Sequence, residues 1–94
     1  MLLKNPGDAF LLYAMGMEYK KTDLMKAIEL FRQVVQVDPN HGYAYYQMGQ
    51  TYELARDTSA AVAAYNSGLI AARRGGDAHA EQEITAALAE IEEQ

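Results

Sequence analysis

The sequence repeats itself at an interval of 33 to 34 residues, and this internal repeat constrains the fold more than any other feature. Four residues of the first half recur 33 positions later, as the pairs Leu12 and Tyr45, Met15 and Met48, Gly16 and Gly49, and Tyr19 and Tyr52. Three more recur 34 positions later, as Ala27 and Ala61, Ile28 and Val62, and Phe31 and Tyr65. The one-residue difference falls where a turn is expected, because an insertion inside a helix would rotate every later side chain by about 100°. The chain is therefore predicted to hold two copies of one structural unit.

The first copy has the apolar periodicity of two helices, with large residues three, four and seven positions apart. We predict one helix from about Asp8 to Lys21, with Asp8 as its N-terminal cap and with Lys20 and Lys21 at the negative end of its dipole. Thr22 and Asp23 form the turn and cap for a second helix. This helix ends near Val37, since Pro39 disfavours helical geometry in the residue before it.

The second copy predicts helices from about His41 to Leu54 and from Thr58 or Ser59 to Arg74, with Arg56 and Asp57 in the turn. Gly75 and Gly76 then supply a left-handed stop, and Asp77 caps a fifth helix. That helix has one narrow apolar face, made of Ala80, Ile84, Ala87, Leu88 and Ile91. No segment alternates with the period of two that strands need. We therefore predict one all-α domain over residues 1–94, with repeat one at about 8–40, repeat two at about 41–74 and a capping helix at about 77–92.

The formal charge of -5 is unevenly distributed along the chain. Residues 1–76 hold seven acidic and eight basic side chains, whereas residues 77–94 hold six acidic and no basic ones. The acidity thus belongs to the fifth helix, whose outer face it keeps soluble. A nucleic-acid partner is not expected, because the basic residues do not cluster on one face. A membrane partner is not expected either, because no apolar run is long enough to span a bilayer.

Residue patterns typical of enzymes and cofactor sites are missing from the sequence. There is no cysteine, the two histidines are far apart, and neither Ser59 nor Ser67 lies in a nucleophile motif. His79 and Glu81 are interpreted as exposed residues of the fifth helix. We expect no catalytic residue, no cofactor, no metal site and no small-molecule substrate. The lack of cysteine, with Met1-Leu2-Leu3 starting a stretch too short for a signal peptide, favours a cytoplasmic protein.

The two copies resemble the tetratricopeptide repeat, a helix hairpin of about 34 residues with small and large residues at fixed offsets. The first copy carries this pattern as Leu12-x2-Met15-Gly16-x2-Tyr19, then Ala27-x3-Phe31, then Pro39; the second carries it as Tyr45-x2-Met48-Gly49-x2-Tyr52, then Ala61-x3-Tyr65, with Arg73 at the proline position. The resemblance implies two stacked antiparallel hairpins of an α-solenoid, covered by the fifth helix. Glycine and alanine at the shared offsets let the helices of a hairpin approach closely, and Leu12, Tyr19, Phe31 and their counterparts are expected to fill the space around them.

The resemblance also implies a binding surface, because in this family one face of the first helix of each repeat lines a concave groove that holds peptides. The residues at those positions are Phe10, Tyr13, Met17, Lys20, Tyr43, Tyr46, Gln50 and Glu53. Rigid aromatic rings at a rim are typical of protein-binding surfaces. The alternative interpretation of Tyr43 and Tyr46 is partial burial under the fifth helix. Lys20 and Lys21 favour an acidic side chain in a partner, or act only as partners of the helix dipole.

Some members of the family hold a C-terminal carboxylate with a lysine and asparagines at particular groove positions. This chain has Tyr13, Met17, Tyr46 and Gln50 where such residues would lie, so that mode of binding is not expected. Two functional hypotheses remain. The first is a non-enzymatic adaptor that binds a peptide or helix of another protein in its groove. The alternative is homo-oligomerisation, with the open face of the first hairpin and Met1-Leu2-Leu3 buried against another copy.

Overall fold

A computed structural model describes residues 6–93, with side chains from Asp8 onward, and every regular element in this range is an α-helix. The five helices are α1 (Pro6–Tyr19), α2 (Leu24–Val37), α3 (Gly42–Leu54), α4 (Thr58–Arg74) and α5 (Ala78–Glu92). Short turns make each helix antiparallel to the one before it. The predicted all-α fold with five helices is confirmed.

The start of α1 differs from the prediction. The helix begins at Pro6 and ends at Tyr19, so Asp8 lies inside the first turn and the prediction that it caps the helix is wrong. Proline is favoured in a first turn because the N–H it lacks has no partner there in any helix. Lys20 and Lys21 follow the helix instead of ending it.

Aspartate side chains cap three of the helices. Asp23, Asp57 and Asp77 accept hydrogen bonds from the backbone N–H groups of Lys26, Ala60 and Ala80, at 3.1, 3.1 and 3.0 Å. Each bond satisfies one of the free donors at a helix start, as predicted for Asp23 and Asp77.

The start of α3 uses a histidine in the same role. His41 Nδ1 accepts from the backbone N–H of Ala44 at 3.1 Å. Because Nδ1 accepts, the proton of the neutral ring is on Nε2. A histidine cap does not follow from common capping preferences.

The hairpins pack closely where the sequence has glycine. A Cβ atom on Gly16 would lie 2.7 Å from Cε1 of Phe31, and one on Gly49 would overlap the ring of Tyr65. Phe31 and Tyr65 are fully buried. The predicted close approach of α1 to α2 and of α3 to α4 is therefore confirmed.

The core consists of three successive clusters instead of one centre. The first joins α1, α2 and α3 through Ala9, Leu12, Leu30, Val34 and Ala44. The second joins α2, α3 and α4 through Ala27, Phe31, Met48 and Ala64. The third joins α4 and α5 through Ala61, Tyr65, Ile84 and Ala87. Each hairpin thus buries its faces against its neighbours, as stacked repeats do, and α5 covers the last one.

The first repeat is less covered than its equivalent in the second. Met15 is 41% exposed and Tyr19 is 38% exposed, whereas Met48 is only 8% exposed. The prediction that Tyr19 fills the space around the contact of α1 and α2 is therefore wrong. In the second repeat α2 packs against α3, but no helix within residues 6–93 packs against the same side of α1.

Candidate protein-binding groove

A pocket of about 470 Å³ lies between the N-terminal ends of α1 and α3. Its lining comes from α1, the end of α2 and the start of α3, as Ala9, Phe10, Tyr13, Val37, Asp38, His41 and Tyr43. The structure thus brings together three of the predicted groove residues, Phe10, Tyr13 and Tyr43. Phe10 is 73% exposed, the highest value among the large hydrophobic side chains of the described residues.

Ring contacts hold one wall of the pocket in place. Tyr13 stacks on His41 with ring centroids 5.2 Å apart and meets Phe31 edge to face at 5.7 Å. His41 is itself fixed by the capping bond to Ala44. These contacts therefore fix the position of this wall, whereas Phe10 is largely exposed.

Hydrogen bonds connect α1 and α3 farther along the groove. Lys20 Nζ donates to Oε1 of Gln47 at 2.7 Å and to Oε1 of Gln50 at 3.3 Å. Gln50 Nε2 in turn donates to the hydroxyl of Tyr46 at 3.0 Å. Three predicted groove residues, Lys20, Gln50 and Tyr46, thus form one network. Lys20 spans the groove and does more than complement the helix dipole.

Burial shifts the proton affinity of groups in the groove. It lowers the pKa of the half-buried Lys20 ammonium, since desolvation penalises the charged form. Burial likewise raises the pKa of Tyr13, against a hydrogen bond from Gln47 that lowers it. For Tyr46, burial comes first and the neighbouring Glu83 carboxylate adds to it; both raise the pKa. The tyrosines of the groove are therefore neutral around pH 7.

The aromatic residues of α3 contact the capping helix. The hydroxyl of Tyr43 hydrogen-bonds to Nδ1 of His79, and Tyr46 packs against the third core cluster with its ring centroid 6.1 Å from that of Tyr65. Tyr43 and Tyr46 meet edge to face at 6.0 Å. Both are half-buried. The interpretation of partial burial against α5 thus holds for these two residues, while each keeps an exposed portion.

Two predicted groove residues support the fold. Met17 is half-buried and packs against the second core cluster. Glu53 accepts a hydrogen bond from the hydroxyl of Tyr65 at 2.6 Å, which ties α3 to α4. Helical spacing placed Glu53 on the groove face, but a long side chain at the edge of that face also reaches the next helix.

Sequence reasoning missed Val37, Asp38 and His41 as pocket residues. They belong to the end of α2 and the cap of α3, outside the stripe on the first helix of each repeat. Local sequence signals mark these residues as a helix end and a turn. Only the packing of α2 beside α3 turns them into a wall of the pocket.

A hydroxyl, an imidazole and a carboxylate lie near one another at Tyr43, His79 and Glu83. The His79 Nε2 to Glu83 Oε2 distance is 3.8 Å, beyond hydrogen-bonding range, and the His79 side chain is 73% exposed. The hydrogen bond between Tyr43 and His79 therefore acts as a polar link between α3 and α5.

In residues 6–93, no three of the histidine, aspartate and glutamate side chains lie close enough to hold a metal ion. None of the five helices of this range has the length and hydropathy to cross a bilayer.

Comparison with known proteins agrees with the repeat pattern and the fold. Residues 42–69 match the family model of the tetratricopeptide repeat. A tetratricopeptide repeat-containing protein of Pseudomonas aeruginosa is 30% identical over 93 residues, which are 98% of this chain and 89% of that protein.

Two solved structures of a tetratricopeptide repeat domain protein from Salinibacter ruber are also similar. The crystal structure has a TM-score of 0.80 at 32% identity and covers 89% of this chain and 94% of the other. The solution structure has a TM-score of 0.78 at 33% identity, with coverage of 89% and 86%. Sequence, repeat spacing and backbone all agree, and the chain belongs to the tetratricopeptide repeat family.

Proposed function

We propose that this protein binds a peptide or a helix of a partner protein in the groove between α1 and α3, without catalysing a reaction. Tetratricopeptide repeat domains generally mediate protein–protein interactions and are generally non-catalytic. The proposed site consists of Phe10, Tyr13, Met17, Lys20, Tyr43, Tyr46 and Gln50, with Glu53 in a supporting role.

One observation carries the proposal. Phe10 exposes 73% of its surface while it lines a pocket of about 470 Å³. Leaving a phenylalanine in water forgoes about 1.5–3 kcal/mol of burial energy. A partner side chain that filled this pocket would cover the ring and recover part of that energy. Half-buried tyrosines beside it would add contact area at small entropic cost.

Phe10→Ser is the variant that tests the groove. Alanine at Tyr13 would remove contacts to Phe31 and His41 and would damage the core, whereas Phe10 contributes little to it. Met25→Ser is a matched control, because Met25 is 69% exposed on α2 and does not line the pocket. Both variants lose one exposed apolar side chain.

Quantitative affinity capture from a lysate of the source organism compares the two variants with the wild type. We expect Phe10→Ser to lose, and Met25→Ser to keep, the proteins that the wild type enriches. Circular dichroism checks that all three are equally helical. Equal capture by Phe10→Ser and the wild type would contradict the groove assignment.

Self-association through the open side of α1 is a second candidate function. Leu11 and Met15 are 58% and 41% exposed there, whereas Ala44 and Met48, their equivalents in α3, are 0% and 8% exposed beneath α2. A second copy placed against α1 would bury these side chains as α2 buries those of α3. The predicted contribution of Met1-Leu2-Leu3 lies outside the described residues.

Leu11→Lys tests self-association, with Leu54→Lys as its control, because both leucines are 58% exposed. A two-fold interface would require the wild type to have twice the mass of one chain in sedimentation equilibrium. We expect Leu11→Lys to be monomeric and Leu54→Lys to remain dimeric. A wild type that stays monomeric at the highest soluble concentration would eliminate this candidate.

A further inference from the structure

The pocket between α1 and α3 combines aromatic walls with negative charge. Four rings line it, those of Phe10, Tyr13, His41 and Tyr43. The Asp38 side chain adds a carboxylate. Among the described residues, no lysine or arginine lines the pocket, and Lys20 is engaged by glutamine side chains elsewhere in the groove.

Further carboxylates act on the same pocket from the capping helix and its cap. The pKa of Tyr43 is raised first by burial, and then by the negative charges of Glu83 and Asp77. These two groups are therefore close enough to Tyr43 to be felt at its hydroxyl. Asp38 is thus the carboxylate of the pocket lining, and Glu83 and Asp77 add negative charge near Tyr43.

Two histidines lie near the pocket, and the nitrogen that His41 uses for capping carries no proton in the observed arrangement. His41 accepts a hydrogen bond at Nδ1 from the backbone of Ala44, which requires that this nitrogen carry no proton. The Nδ1 atom of His79 is engaged by the hydroxyl of Tyr43. From the described residues of the lining, a ligand in the pocket thus meets aromatic faces and the Asp38 carboxylate, without a lysine or arginine beside them.

We infer that this pocket binds the side chain of an arginine in a basic segment of the partner. This inference rests on the groove function proposed above and assigns the chemistry of its ligand. The methylene stem of arginine covers apolar rings, and its planar guanidinium both stacks on aromatic faces and forms a two-pronged contact with a carboxylate. Asp38 has an oxygen for this purpose, because only its Oδ1 accepts from the backbone N–H of Asn40, at 3.2 Å. Acidic ligands are disfavoured by the same carboxylates.

A pair of small probes isolates the charge. Nα-acetyl-L-arginine methylamide carries the guanidinium, and the corresponding citrulline derivative replaces it with an uncharged urea of nearly the same shape. Each is titrated into the full ¹⁵N-labelled chain while backbone amide resonances are followed by NMR. We expect the arginine probe to shift the amides of Phe10, Tyr13 and Tyr43 and to bind about three- to tenfold more tightly than the citrulline probe.

Asp38→Asn tests the role of the carboxylate without removing the acceptor for the backbone of Asn40. Glu92→Gln is the matched control, because it deletes the same charge near the far end of α5. We expect Asp38→Asn to lose most of the difference between the two probes, and Glu92→Gln to keep it. Added salt should weaken the binding of the arginine probe more than that of the citrulline probe.

Three results would overturn the inference. The two probes could bind equally, the shifts could map away from the pocket, or the pocket amides could shift only with protein concentration, which would indicate a second copy as occupant. None of these results bears on whether Phe10→Ser loses partner capture. Conversely, if the arginine probe binds as expected but Phe10→Ser captures the same proteins as the wild type, the proposed function fails and the pocket chemistry stands.

Discussion

At the scale of single residues, backbone conformation at the ends of α3 and α4 is the clearest contrast between the repeats. Both helices close in the same way, because the N–H groups of Asp57 and Asp77 donate to the carbonyls of Tyr52 and Ala72 at 2.9 and 2.8 Å. This closure needs one residue in the left-handed region. It is Gly76 after α4, with φ of 67°, but Arg56 after α3, with φ of 66°.

Arg56→Gly is therefore expected to stabilise the fold. A non-glycine residue in the left-handed region costs about 1–2 kcal/mol, which the substitution removes. Part of this stabilisation is offset, because glycine has more conformational freedom in the unfolded chain. We expect the free energy of unfolding to rise by about 0.5–1 kcal/mol. Urea denaturation followed by circular dichroism measures this change.

Gly76→Ala is the reciprocal variant. Nothing within 4 Å would obstruct a Cβ at Gly76, so only the backbone conformation opposes the substitution. It should destabilise the fold by about 1 kcal/mol. A loss of stability in Arg56→Gly would show that the arginine side chain matters more than its backbone conformation.

At the scale of elements, α5 covers the apolar face of the last hairpin. Its inner face places Ile84, which is fully buried, in one cluster with Ala61 and Tyr65. Its start is fixed by the Asp77 cap, and Arg73 Nε donates to Glu81 Oε2 at 2.8 Å. The exposed ion pair adds little by itself, so the buried contact decides whether α5 stays in place.

Ile84→Ala should loosen α5. Removing a fully buried isoleucine side chain costs about 2–5 kcal/mol, since the cavity left behind is only partly refilled. Thr85→Ala is the control, because Thr85 is exposed and bonds only within its own helix, through Oγ1 to the carbonyl of Glu81. Hydrogen exchange should show faster exchange in α5 for Ile84→Ala than in α1 and α2. Uniformly faster exchange in all five helices would instead mean that the stack unfolds as one unit.

At the scale of the whole molecule, one buried and three half-buried tyrosines give the fold a sensitivity to alkaline pH. Burial raises the pKa of Tyr65 strongly, and its hydrogen bond to Glu53 and the negative charge of that carboxylate raise it further. The pKa values of Tyr13, Tyr43 and Tyr46 are raised as well, with burial as the first cause. In the unfolded chain these groups lose their protons around pH 10.

The free energy of unfolding should therefore fall as the pH rises above 10. Above pH 10 the tyrosines of the folded state still hold protons that those of the unfolded state have released. The stabilisation that their raised pKa values provide is therefore complete below pH 10, and it is lost as the pH rises through the pKa values of the folded state. Lys20 acts in the opposite direction, because its lowered pKa lets stability rise as the pH approaches 10.5. Because four tyrosines oppose one lysine, the net effect is a loss of stability at high pH.

Urea denaturation at several pH values between 8 and about 11.5, around the ordinary tyrosine pKa, checks this sign. Tyr65→Phe should be less stable than the wild type at pH 8, by about 1 kcal/mol for the lost hydrogen bond to Glu53. It should also lose stability less steeply above pH 10. Parallel curves for the two proteins would contradict the assigned role of Tyr65.

The sequence predicts the helices and their pairing because both depend on local or repeated signals. Apolar spacing sets the buried face of each helix, Asp23 and Asp77 mark two helix starts, and glycines at equal offsets mark where helices touch. The exposed side of α1 does not follow from this pattern. Met15 and Met48 occupy equivalent positions, and only the neighbour of each helix makes one exposed and the other buried.

The candidate site also has a part that the sequence predicts and a part that depends on tertiary packing. By itself, the sequence determined the fold family and the aromatic face of α1 and α3, since helical periodicity places Phe10, Tyr13 and Tyr43 on one side. Only the tertiary structure decided that Asp38 and His41 complete a pocket with them. The physical reason is that the pocket joins three elements, so its shape and charge depend on how α2 packs beside α3, which no local signal encodes.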